Sequence, residues 1–243
     1  EETLITLSER DYLNELDTIG VAKTFEQSDY FRSSRYSDFL FEGGLYMKKK
    51  IGKKTEASLG MVYEFGANLN TLRNERIEIV REFDPNSPES SILEDERGLT
   101  FLPPQIGIGL SLSKEFKWTF GVDYYFRDWT KFTTPFGSQQ PLTVQKDLIV
   151  GGEFTPDFFS VKSYWKRVTY LFGFNYSKTP VTINSQNIYD FGTNFGISLP
   201  VGSASLLNLG MKFGQLGTTN NGLVKDNYFR VNLGMTFNDR SFG

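Results

Sequence analysis

The stretch Val168-Thr169-Tyr170-Leu171-Phe172-Gly173-Phe174-Asn175-Tyr176 decides the fold. Val168, Tyr170, Phe172, Phe174 and Tyr176 fall on one side of an extended chain. Thr169, Leu171, Gly173 and Asn175 fall on the other. A period of two is the mark of a β-strand, since successive side chains point to opposite faces. The large side chains share one face, and the other face is mostly small or polar. A soluble sandwich turns its large apolar face inward against a second sheet. A strand of roughly 9–11 residues also suffices to cross a bilayer at a tilt.

The same alternation recurs on both sides of this stretch. Phe39, Phe41, Gly43, Leu45 and Met47 alternate with Leu40, Glu42, Gly44 and Tyr46. Ala57 to Phe65, Ile106 to Leu112 and Trp118 to Phe126 follow the same rule, and Leu148 to Phe154 follows it more weakly. Phe191 to Leu199, Leu207 to Phe213 and Phe229 to Phe237 complete the series. The opposite positions are rich in Gly, Ser, Thr and Asn. The count is about nine strands with one continuous apolar face, the inside-out arrangement of lipid-facing strands around a wet interior.

Connections alternate in length. Lys49–Lys54, Ser113–Lys117 and Pro200–Ser205 are short, and Thr155–Lys166 falls on the short side. Ala67–Gln105, Arg127–Asp147, Ser177–Asp190 and Gln215–Asn227 are long. Barrels of the outer membrane have short periplasmic turns and long external loops. The last strand then descends, with aromatics at Phe229 and Phe237 of the type that barrel-assembly machinery recognises. Ala67–Gln105 reads as a solvated external loop in which Arg76–Phe83 extends a strand. Residues 1–37 read as loop with one strand end at Thr3–Leu7, and with a short helix or turn over Glu9–Leu16. Residues 38–243 read as barrel strands. The first and last clear strands both descend, so each edge needs an ascending neighbour. The expectation is that these residues do not close a ring alone.

Composition narrows the chemistry. The chain has 243 residues, no Cys and no His. This removes disulfides, thiol and Ser-His-Asp catalysis, and the usual transition-metal sites. Neither catalysis, a cofactor nor a metal is expected. Lys+Arg number 26 and Asp+Glu 29, so no basic footprint for nucleic acid is present. There are 23 Phe, 12 Tyr and 23 Gly, yet mean hydropathy is −0.34. That balance fits a barrel and a soluble sandwich alike; the strand pattern decides between them. No segment reaches the roughly 20 apolar residues of a membrane-spanning helix.

Three segments carry a family resemblance. They are Leu102-Pro103-Pro104-Gln105-Ile106-Gly107, Lys117-Trp118-Thr119-Phe120-Gly121-Val122-Asp123-Tyr124 and Asp128-Trp129-Thr130-Lys131-Phe132. Arg167-Val168-Thr169-Tyr170, Asp190 to Gly196 and Gly217 to Gly222 point the same way. From about Tyr36 to Phe237 the chain resembles FadL/TodX-type outer-membrane transport proteins, particularly the version found in Bacteroidetes. The resemblance implies a 14-stranded monomeric barrel, plugged by an N-terminal hatch, that passes hydrophobic molecules such as fatty acids or aromatic hydrocarbons. About nine or ten strands are readable here, and the short Asn-Pro-Ala motif of the hatch is missing. The chain therefore reads as a C-terminal portion of such a protein or as a shortened relative, and no hatch or pocket residue carries over.

Candidate ligand-binding residues are those on the small, polar face: Asp123, Tyr125, Asn175, Asn194, Lys212, Arg230 and Asn232. Asp123, Lys212 and Arg230 have a plainer alternative as part of an internal polar network, with Lys212 and Arg230 pairing to Glu42, Glu64 or Asp123. Trp118, Trp129 and Trp165 read as interfacial anchors. Phe158, Phe159, Tyr164 and Trp165 crowd one periplasmic segment, as girdle anchors or as a contact for a partner protein. The expected location is the bacterial outer membrane, crossed many times, with lipid and lipopolysaccharide as surroundings. The expected function is passive uptake of a small hydrophobic compound. The alternative is a non-conducting accessory barrel within an outer-membrane protein complex.

Overall fold

The computed structural model describes residues 3–12, 27–80, 89–136, 141–201 and 205–237. These form thirteen strands, in chain order β1 Thr3–Tyr12, β2 Gln27–Ser37, β3 Glu42–Lys50, β4 Thr55–Glu64, β5 Ala67–Val80, β6 Glu89–Leu102, β7 Gln105–Lys114, β8 Trp118–Asp128, β9 Val144–Phe154, β10 Thr169–Ile183, β11 Gln186–Val201, β12 Ser205–Gly217 and β13 Lys225–Thr236. Every pairing is antiparallel.

Nine of them make one up-and-down sheet in the order β13-β12-β11-β10-β9-β8-β7-β4-β3. All nine strands read from the sequence are in it. Its register places the apolar residues in unbroken cross-strand rows. Phe172 lies opposite Phe195, Met211 lies between Phe195 and Val231, and Leu110 lies between Leu59 and Val122. Within a strand a one-residue slip would move every side chain to the other face, so this agreement fixes the register.

The apolar face is bare. Among the described residues the buried hydrophobic set is Val168 alone, while Phe195 is 57% exposed and Leu233 is 74% exposed. A nine-stranded apolar surface without a core beneath it is not stable in water, where apolar patches of even a few hundred Å² are rare on monomers. The nine-stranded unit is therefore of the all-β, up-and-down, transmembrane barrel class. β3 and β13 are its two edges, and among the described residues neither pairs with a further strand. Among the described residues the sheet is therefore open at these two edges.

Three readings need correction. Ala67–Gln105 is a hairpin of two 14-residue strands, β5 and β6, rather than a solvated loop. It belongs to a second sheet, ordered β1-β2-β5-β6. Its rows hold pairs such as Arg73 opposite Glu96 and Asn70 opposite Leu99. Polar strands of this kind give no apolar alternation to read. Thr71 donates to Thr100 at 2.7 Å with both residues buried, and the Phe101 amide donates to Thr133 at 2.9 Å. Gly98 is required beneath Thr133 to Phe136, since a Cβ there would lie 2.7 Å from Pro135. Residues 1–37 contain two strands, β1 and β2, rather than one strand end. Of Glu9–Leu16, the first four residues lie in β1; residues 13–16 lie outside the described residues, as do 81–83 of Arg76–Phe83.

Ser177–Asp190 is likewise no long loop. β10 and β11 run on to a two-residue turn at Asn184 and Ser185, with φ of 48° and 60°. Left-handed φ at both positions defines a type I′ hairpin turn, whose twist matches the strands it joins.

Candidate functional site

The side of the nine-stranded sheet opposite the apolar rows is the candidate site. Reading the register across, Gly44, Gly60, Gly107 or Gly109, Gly121, Gly151, Gly173, Gly192 or Gly196, Gly210 and Gly234 give every strand at least one glycine on this face. The remaining positions are mostly polar, and they bond to one another across strands.

Arg127 of β8 pairs with Glu64 of β4, reaching over β7, and its guanidinium carbon lies 5.3 Å from the Trp129 ring. Arg127 is buried, and its Nε has no partner among the described residues. Asp147 accepts from Gln145 at 2.8 Å and from Ser177, and Trp129 donates to Gln145 at 2.7 Å. Thr119 donates to Glu153 at 2.9 Å. Tyr228 donates to Asp190 at 2.8 Å across β12. Ser198 donates to Asn208, which in turn donates to Thr236 at 3.4 Å. Such bonds satisfy polar groups that hydrocarbon on the other side of the sheet cannot.

All seven candidate residues from the sequence lie on this face. Asn194, Lys212 and Arg230 form one cross-strand row, with Asn232 two residues further along β13. The two cations stand directly opposite each other, an unfavourable pairing. Lys212 turns to the Tyr228 ring, 5.4 Å from its centroid. Asn175 packs against Gly192, and its buried Oδ1 has no hydrogen-bond partner among the described residues. Asp123 and Tyr125 are separate from these, on β8.

Among the described residues, Lys212 and Arg230 make no ion pair with Glu42, Glu64 or Asp123. Glu64 takes Arg127 instead, the first residue of the connection Arg127–Asp147 expected from the sequence. Its signal was parity: Arg127 shares the face of Asp123 and Tyr125.

Asp123 and Tyr125 border a depression of about 330 Å³ over β3, β4, β7 and β8. Gly44, Gly60, Gly107 and Gly109 supply its floor, and Tyr46 and Val62 also line it. The Tyr125 ring lies over Gly107, where a Cβ would come within 2.6 Å of it, and the Asp123 carboxylate lies over Gly109. Tyr46 donates to Ser58 at 3.0 Å.

At the end of the sheet that carries the short connections, the expected aromatic cluster divides. Phe158 and Phe159 join Phe116 of the β7–β8 turn, with ring centroids 5.1–5.2 Å apart. Phe116 has a φ of 57°, an uncommon conformation for a bulky residue. All three are exposed. Tyr164 and Trp165 instead contact each other at 6.0 Å, and Tyr164 donates to the Pro200 carbonyl at 3.2 Å. No group of three or more metal-ligating side chains occurs among the described residues.

An up-and-down antiparallel sheet with a bare apolar face and a polar, glycine-rich reverse defines a β-barrel protein of the outer-membrane type. A family model described as BamG matches residues 14–243, and the chain belongs to that family. A solved structure described as "CymD monoaromatic hydrocarbon channel" is similar at a TM-score of 0.44 and 11% identity, over 88% of this chain and 82% of that chain. No curated protein sequence matches.

Proposed function

We propose that this chain is an integral, multi-pass protein of the bacterial outer membrane that serves as a non-conducting accessory barrel in an outer-membrane protein complex. The observation that carries this reading is the reverse face of the sheet. It is laced by cross-strand bonds among Glu64, Arg127, Asp147, Ser177, Asp190 and Tyr228. An apolar solute has no continuous apolar track along it. The exposed trio Phe116, Phe158 and Phe159 supports a partner contact, because aromatic anchors dominate protein interfaces. This order reverses the one reached from sequence, where passive uptake came first.

Passive uptake of a small hydrophobic compound is the second reading. It rests on the resemblance to FadL/TodX-type transporters and on the depression lined by Tyr46, Val62 and Tyr125. Neither reading involves catalysis or a cofactor. Two measurements separate them. Mild solubilisation of native membranes should recover the protein in a stoichiometric complex, and vesicles containing it should take up toluene or a short-chain fatty acid no faster than empty ones. Recovery of the protein alone, together with saturable uptake, would overturn the first reading.

A further inference from the structure

The geometry points to the depression over β3, β4, β7 and β8 as a binding site for a small organic cation, an ammonium carried on a single ring or a short apolar body. Asp123 has no hydrogen bond or ion pair among the described residues, although Glu64, Asp147, Glu153 and Asp190 on the same face are all partnered. It is held over Gly109, half-buried, at the rim of the space rather than inside a network. A half-buried carboxylate kept out of the network in this way is free to take a donor from a ligand in place of water.

The surroundings say which donor. Tyr46, Tyr125 and Val62 line the same space, so a ligand meets aromatic rings and a branched aliphatic side chain beside the charge. Ring faces attract a cation when it is partly desolvated, and a carboxylate bonds it directly. A metal ion does not fit, since hard cations take six or more oxygen ligands and Asp123 is the one carboxylate lining the space. A neutral hydrocarbon would leave Asp123 buried without a partner. At about 330 Å³ the space is at the lower end of small-molecule sites, the size of one ring with a short arm. The site stands whether or not the barrel conducts, so it goes beyond the accessory role.

The test uses the full chain in detergent micelles, with phenethylammonium as probe and 2-phenylethanol as its neutral counterpart, followed by saturation-transfer NMR and calorimetry. The ammonium should bind at least roughly tenfold more tightly than the alcohol, a ratio worth about 1.4 kcal/mol. Asp123→Asn keeps the shape and should erase that preference. Gly60→Val guards against a folding artefact. A Cβ there meets nothing within 4 Å, so the variant should fold normally while its side chain fills the floor and abolishes binding. Equal affinity for the two probes, an unchanged preference in Asp123→Asn, or undiminished binding in Gly60→Val would each overturn the proposal.

Discussion

Replacing Met211 by Arg places a charge at the centre of the face assigned to lipid. Met211 is the midpoint of β12, six residues from Ser205 and six from Gly217. At about 3.3 Å per residue along a strand tilted by about 40°, it lies about 15 Å below either end, in the middle of an apolar band about 25 Å tall. Its cross-strand neighbours, Phe195 and Val231, offer no partner for a guanidinium. An Arg at that depth costs about 2–4 kcal/mol. The assay is reversible guanidinium unfolding of the protein in phospholipid vesicles, followed by tryptophan fluorescence. Asn208→Arg, one face over on the same strand, is the comparison and should cost less than about 1 kcal/mol. If Met211→Arg were neutral and Asn208→Arg carried the larger penalty, the facing of the whole sheet would be reversed. If both were neutral, the sheet would not be in lipid at all.

The remaining predictions follow from the polar face and its turns. Arg127→Ala leaves Glu64 without its partner on a half-buried strand and should cost about 3 kcal/mol in the same unfolding assay; a loss below 0.5 kcal/mol, on the order of surface substitutions, would remove the pair from the account. Gly107→Ala forces the Tyr125 ring and Val62 aside, since its Cβ would lie 2.6 Å from both, and should cost about 1–3 kcal/mol. Gly210→Ala, whose Cβ would meet only Asn232 at 4.0 Å, should be close to neutral, and equal costs for the two would contradict the packing. Ser185→Gly relieves a left-handed φ of 60° in the β10–β11 turn and should stabilise by up to about 1 kcal/mol. Protease added to intact cells should cut Thr218–Val224, the connection between β12 and β13, and spare Thr155–Lys166; the reverse pattern would invert the topology.

The nine-stranded sheet was legible because lipid-facing strands must repeat a large apolar residue at every second position. Strands such as Leu207 to Phe213 show little else. β5 and β6 were not legible, for a physical reason. Their rows join residues such as Arg73 and Glu96, which suit extended chain in water as well as they suit a loop. Ser177–Asp190 was missed similarly, as Pro180 within β10 reads as a break. It in fact sits where the register shifts between Lys178 and Thr182. For the candidate site, parity alone placed all seven residues on one face. Parity does not say which of them meet. That depends on register across several strands: Arg127 reaches Glu64 over β7, and Tyr228 reaches Asp190 over β12. The depression was hidden for a related reason, because its floor is made of glycines from three strands that no local motif connects.

The central claim is that the apolar rows face lipid and the glycine-rich rows face a polar interior. Nitroxide labels placed singly at Phe174, Met211 and Asn194 in the membrane-reconstituted protein test it most directly. Labels at Phe174 and Met211 should be relaxed by oxygen and shielded from a water-soluble nickel chelate, and the label at Asn194 should behave in the opposite way. Chelate access at Phe174 and Met211, with oxygen access at Asn194, would contradict it.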